Sequence, residues 1–169
     1  MDAKKFWLHD FIAEKRTFVI PVYQRNYDWK TANCGQLFDD IVNIIKSNKP
    51  HFIGTFVYQE FAGADIFREL IIIDGQQRIT SIILFAKAVH DLTDDTDLKD
   101  DIHSTFIKHS KGELKNKCKL RPTEYDRATF EKLMTDDGFD ENNFSADEKS
   151  SAMYRNSQIC PHSTKNFMN

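Results

Sequence analysis

Leu70-Ile71-Ile72-Ile73-Asp74-Gly75-Gln76-Gln77-Arg78-Ile79-Thr80-Ser81 is the stretch whose reading decides the fold. Leu70 to Ile73 is an apolar run dominated by β-branched residues, and it predicts a buried strand. Ile79, Ile82, Ile83, Ala86 and Val89 then recur at helical spacing. The period therefore changes from that of a strand to that of a helix within a few residues. Asp74-Gly75 is the predicted hinge, with glycine free in its backbone angles and Asp74 suited to cap the helix.

Such a turn aims unpaired backbone N–H groups, and the positive end of the helix dipole, at whatever lies above it. Arg78 is electrostatically out of place there. Acidic residues, not cations, are favoured in a first turn, by roughly 0.3–1 kcal/mol. With Gln76 and Gln77 it offers donors and a guanidinium fork that suit a phosphate. A purely structural reading of the same residues needs less: Asp74 caps, Gly75 turns, and the glutamines are good helix formers.

The chain has 169 residues, enough for one domain with a true core. Hydrophobic residues make up 40% and charged residues 29%, an ordinary balance for a globular protein. No apolar run approaches the ~20 residues that a spanning helix needs, and no membrane partner is expected. Met1-Asp2-Ala3-Lys4-Lys5 leads into an amphipathic segment rather than a signal peptide, so the expected compartment is the cytoplasm. Cys34, Cys118 and Cys160 are widely spaced and define neither a disulfide framework nor a zinc site. A net charge of −3 argues against indiscriminate coating of nucleic acid but leaves room for a local basic patch.

Lys4 to Glu14 predicts a first helix, and Thr17 to Ile20 a short strand ended by Pro21. Val22 to Trp29 packs three aromatics, Arg25 and two amides without a clean period. It reads either as a loop stapled to the core or as a recognition loop, with Arg25 for an anion and an aromatic for stacking. Leu37 to Lys46 is an amphipathic helix whose polar side carries Asp39 and Asp40, a solvated pair that also has the chemistry to help hold a metal.

His51 to Gln59 predicts a strand, headed by His51, which reads as a ligand, an acid/base group or, as a lone histidine at a strand start more often is, a structural residue. Gly54 within it suggests a bulge or a close approach. Ala62-Gly63-Ala64-Asp65 is the expected connection to an antiparallel return from Phe67 to Ile73. Beyond the central helix, an acidic block from Asp91 to Asp101 is followed by a basic one: Lys108, His109, Lys111, Lys115, Lys117, Lys119 and Arg121. The basic block is either a solvated loop or a surface for a nucleic-acid backbone. Leu98, Ile102 and Phe106 hint at a helix between the blocks, and Cys118 to Leu120 at a short strand. Thr123-Glu124-Tyr125-Asp126 resembles a capping box that starts a further helix. From Asp136 the chain turns polar and aperiodic. The predicted organisation is a domain over residues 1–135 and a poorly packed or disordered tail over 136–169. The fold class expected is α+β, a small mixed or antiparallel sheet flanked by helices.

No Walker A loop, nucleophile elbow, zincin helix or dinucleotide-binding glycine pattern occurs, and the histidines lack metal-ligand spacing. Three separated stretches nevertheless resemble one family. They are Ile20-Pro21-Val22-Tyr23-Gln24-Arg25-Asn26-Tyr27-Asp28-Trp29, His51-Phe52-Ile53-Gly54-Thr55-Phe56-Val57, and Ile73-Asp74-Gly75-Gln76-Gln77-Arg78-Ile79-Thr80. Together, over about Lys4 to Met134, they resemble the bacterial domain of GmrS and GmrSD-type modification-dependent restriction proteins and related phage-defence systems. That domain is distantly similar to the ParB/sulfiredoxin-like fold.

The resemblance implies NTP binding and hydrolysis at the Asp-Gly-Gln-Gln-Arg turn. Asp74, Gln76, Gln77 and Arg78 would be catalytic, with Mg²⁺ at Asp74. Tyr23, Gln24, Arg25, Gly75, Arg78 and Thr80 would bind the nucleotide and face one pocket. ParB-like relatives carry a Gly-Glu-Arg-Arg-type turn there, which Gly75 and Arg78 fit and Gln76 and Gln77 do not. The implied partners are an NTP, DNA and a His-Asn-His nuclease, for which this chain has no motif. Relative to the family the chain is expected to be truncated. The competing expectations are a DNA-contacting module without catalysis and an inactive fragment.

Overall fold

The computed structural model describes residues 4–61 and 68–158. Met1 to Ala3, the connection expected at Ala62-Gly63-Ala64-Asp65, Phe67, Cys160 and the rest of 159–169 lie outside them. The elements run α1 (Leu8–Ala13), β1 (Arg16–Val19), α2 (Thr31–Ser47), β2 (Val57–Phe61), β3 (Arg68–Asp74), α3 (Gln76–Leu92) and α4 (Thr96–Ile102). A π-helical turn (His103–Ile107) follows, then β4 (Leu120–Arg121), α5 (Glu124–Leu133), α6 (Ala146–Ser150) and a last helix, α7, at 152–158.

The fold is α+β. Its sheet has the order β2-β3-β1-β4. β2 and β3 pair antiparallel, while β1 lies parallel to both β3 and β4, so the sheet is mixed. The antiparallel return into β3 agrees with the sequence reading. β1 enters between β3 and β4, with Phe18 opposite Leu70 on one side and Leu120 on the other. All three side chains are buried. They meet Ile12, Ile72, Ile79 and Ile83 in one continuous core, which fixes α3 against the sheet. α3 is buried over most of its circumference, including Gln76, Gln77 and Lys87, as expected of a central helix.

Several expectations are corrected. β2 begins at Val57 rather than His51, because residues 51–56 carry a left-handed glycine, Gly54 at φ 106°, and run as a loop. The first helix is shorter than expected, and Trp7 is exposed while Phe11 and Ile12 are buried. Asp74 does not cap α3. It closes β3, and Gly75 at φ 97° is the cap residue. No capping box forms at Thr123, since Asp126 turns its carboxylate to another segment. The tail is also packed further than its composition suggests. Phe144, Met153 and Tyr154 are buried in the core, so residues 144–158 are not a loose appendage. A few well-spaced apolar side chains suffice where the core offers them a place.

Candidate functional site

The turn between β3 and α3 is where the chain's unusual residues meet. Gly75 takes a left-handed conformation, and a Cβ there would stand 2.7 Å from the Phe56 ring. Only glycine therefore lets β3 turn this sharply under residues 55–56. Being glycine, the cap residue brings no side chain to the first-turn N–H groups.

Two loops close on this turn from either side. The first is residues 21–29. Gln77, 5% exposed, accepts from the N–H groups of Asp28 at 2.8 Å and Trp29 at 3.1 Å, and its Nε2 donates to the Asn26 carbonyl at 3.0 Å. Gln76 Nε2 donates to Gln24 Oε1 at 3.3 Å, and Gln24 Nε2 donates to the Ile73 carbonyl at 2.9 Å. Tyr27 is buried. Its hydroxyl sits 2.7 Å from Ser81 Oγ, which itself donates to the Gln77 carbonyl at 2.9 Å. Burial pushes the Tyr27 hydroxyl pKa far up, so it stays protonated as the donor in that chain.

The second loop is residues 51–56. Here Arg78 Nη1 donates to the Thr55 carbonyl at 3.3 Å, and its guanidinium lies 5.9 Å from the centre of the Phe56 ring. The guanidinium rests on Gly54, about where a Cβ would be, at 2.7 Å. The close approach expected at Gly54 is thus made by Arg78.

Arg25, Gln76, Gln77 and Thr80 line a cleft of about 180 Å³ with Thr123 and Asp126. Arg78 does not line it. Arg25 belongs to the first loop, while Arg78 projects from the same helical turn against the second. Thr80 donates to the Gln76 carbonyl at 2.8 Å, which leaves its oxygen only as an acceptor. Asp74 is exposed at the end of β3, and Tyr23 is 73% exposed at the tip of the first loop. A larger hollow of about 420 Å³, walled by Leu37, Phe38, Ile41, Leu84 and Phe85, lies between α2 and α3, and neither arginine lines it.

Other candidates resolve differently. Among the described residues no group of three or more His, Cys, Asp or Glu side chains is placed to hold a metal. His51 lies 3.7 Å from Asp40, a pair and no more. The basic block disperses in three dimensions. Lys119 is buried and donates to the Ile12 and Ala13 carbonyls at the end of α1. Burial lowers its pKa to about 8. Lys108 pairs with Asp136 at 2.6 Å and Arg121 with Glu69 at 2.9 Å, leaving Lys111, Lys115 and Lys117 exposed. His109 is buried too, with Nε2 3.2 Å from Thr17 Oγ1.

Sequence reasoning missed Asn26, Thr123, Asp126 and Asn156. Asp126 accepts from Tyr27 N at 2.7 Å, and Thr123 Oγ1 lies 3.1 Å from both Asn26 Oδ1 and Asp126 Oδ2. Asn156 donates to the Tyr27 hydroxyl at 3.2 Å and to the Trp29 carbonyl at 2.6 Å. The cap-like spacing of Thr123 and Asp126 was the visible signal; it served the loop rather than the helix.

No helix among the described residues is long and apolar enough to cross a membrane. No curated protein matches the chain. The family model for the GmrSD restriction endonuclease N-terminal domain matches residues 8–169, reaching past Met134. All three signature stretches converge on one helical turn within that span, in the context of restriction and phage defence. The chain belongs to the GmrSD restriction endonuclease N-terminal domain family.

Proposed function

We propose that this domain binds and hydrolyses a nucleoside triphosphate, laid across the N-terminus of α3, as the regulatory step of a restriction or phage-defence system. The observation that carries the reading is the pair of cations at one helix start. Arg25 stands beside Gln76 and Gln77 on one side, and Arg78 is laid over Gly54 on the other. A helix N-terminus flanked by two arginines suits a polyphosphate, which is recognised by charge and by bidentate donors.

The hollow at Arg25 is too narrow to enclose a ligand, so the phosphates would lie across its mouth, over the first turn of α3, with the base outside it. Tyr23, exposed on the same loop, would stack on that base. Gln76 is 3.3 Å from Gln24, within reach of an attacking water once that bond is exchanged. Gln77 has both ends of its amide engaged by the first loop, and its role is to position that loop. Asp74 is an exposed carboxylate at the end of β3. That fits Mg²⁺, which takes one or two carboxylates and completes its shell with phosphates and water. The ion would neutralise phosphate charge when bound. A nuclease domain or partner would carry out the cleavage that this step controls.

NTP turnover with Mg²⁺ tests the reading. Wild type is expected to hydrolyse NTP, and Arg78→Ala and Asp74→Ala to lose at least about tenfold in rate, as removal of one transition-state contact does. Equal rates in all three would remove the site. The DNA-contacting alternative is left with Lys111, Lys115 and Lys117 as its exposed cations in this block. Salt-dependent DNA binding that is lost on their neutralisation, yet kept in Arg78→Ala, would favour it.

A further inference from the structure

Three successive N–H groups of the first loop, those of Tyr27, Asp28 and Trp29, are each taken by a side-chain oxygen. Gln77 of α3 takes the latter two, and Asp126 of α5 takes the first at 2.7 Å. Side chains from two helices therefore fix three consecutive N–H groups of this loop.

Asp126 is an unusual choice for such a role. It is 4% exposed, and its Oδ2 is met only by the Tyr27 N–H and the Thr123 hydroxyl among the described residues. Burying a carboxylate is costly unless its bonds are good ones. Burial raises its pKa, and the bonds from Tyr27 and Thr123 draw it back. In the first turn of α5 the same carboxylate could have closed a capping box with Thr123. It reaches across the cleft instead, into the loop that carries Arg25 two residues earlier. Arg25 and Asp126 line that cleft together.

We propose that Asp126 is a positioning residue for Arg25: through the Tyr27 N–H it holds the loop so that Arg25 stays in the hollow beside the first turn of α3. The inference rests on the nucleotide reading for its effect on turnover, and on the loop alone for its effect on structure. A carboxylate spent this way does not itself touch the phosphates, which its charge would repel. Its loss should weaken nucleotide binding and spare the chemical step.

Both sides can be measured. Trp29 lies at the end of the loop and donates to Gln77. In a Trp7→Phe background its fluorescence reports the loop without any nucleotide. Asp126→Ala is expected to make Trp29 more accessible to acrylamide quenching. It should also raise KM for NTP about tenfold with kcat nearly unchanged, the size of one lost charge-assisted hydrogen bond. Asp126→Asn keeps an oxygen for Tyr27 N and should restore both. Should the alanine variant fail to melt cooperatively, Asp126→Ser replaces it under the same criteria. Unchanged KM and quenching in the alanine or serine variant would overturn the inference, as would failure of Asp126→Asn to restore them. If wild type itself neither binds nor turns over NTP, the nucleotide reading falls. The quenching series then decides the positioning role alone: a rise reversed by asparagine upholds it, and no rise overturns it.

Discussion

At Gly54 and Gly75 the same absence of a side chain does two different things. A Cβ on Gly75 would meet the Phe56 ring at 2.7 Å, and φ is 97°. Gly75→Ala therefore combines a clash in the fold with backbone strain, and should cost about 1–3 kcal/mol in denaturant unfolding. A Cβ on Gly54 would meet the Arg78 guanidinium, whose flexible end can move away. Gly54→Ala should keep most of its stability, losing about 1–2 kcal/mol to strain at φ 106°, and yet lose the nucleotide binding proposed above because Arg78 is displaced. If both variants show the same ratio of stability loss to binding loss, that separation of roles is wrong. Gln77→Ala strips the loop of bonds to Asn26, Asp28 and Trp29. Unsatisfied backbone groups left behind should cost about 1–3 kcal/mol, and limited proteolysis should cut within residues 22–29 faster than in wild type.

Among the elements, β1 and the segment entering β4 hold the most consequential buried bases. His109 is 5% exposed, and burial together with the neighbouring Lys119 charge lowers its pKa from 6.5 to about 4. The folded state thus binds this proton more weakly than the unfolded chain does. Protonation favours unfolding, so stability is full above about pH 6.5 and is lost as pH falls from there towards 4. The loss should be on the order of 1–3 kcal/mol, and it should disappear in His109→Gln. Urea titrations at pH 7 and pH 4.5 check this; parallel pH dependence in the two proteins would exclude His109 as the source. The dispersal of the basic block is an effect at the same scale. β4 pairs with β1 through only Leu120 and Arg121, and that pairing draws Lys119 beneath α1. A run of positive charge in the sequence becomes one buried cap, two ion pairs and three free lysines.

For the molecule as a whole, side chains between residues 144 and 156 complete the core. Phe144, Met153 and Tyr154 are each less than one-tenth exposed, and Asn156 binds both Tyr27 and Trp29. Burial of side chains of this size stabilises by roughly 1.5–3 kcal/mol apiece, against a total of about 5–15 kcal/mol for a typical domain. A chain ended at Thr135 should therefore show no cooperative thermal transition. A cooperative transition near the full-length temperature would show that the last helices are dispensable.

The amino-acid sequence by itself determined the β3–α3 turn, the amphipathic α2, α5, the antiparallel return into β3 and the close approach at Gly54. Each of these is written in residues adjacent along the chain, where hydrophobic period and allowed backbone angles act locally. It also carried the three signature stretches that identify the family. Only the tertiary structure decided that β1 lies parallel between β3 and β4, that Arg25 lines the hollow at this turn while Arg78 rests on Gly54, and that Gln77 and Asp126 clamp the first loop. Tyr27 meets Asp126 across 99 positions and Asn156 across 129. A hydrogen bond over that separation leaves no periodic trace, because its partners are brought together by the core rather than by their neighbours.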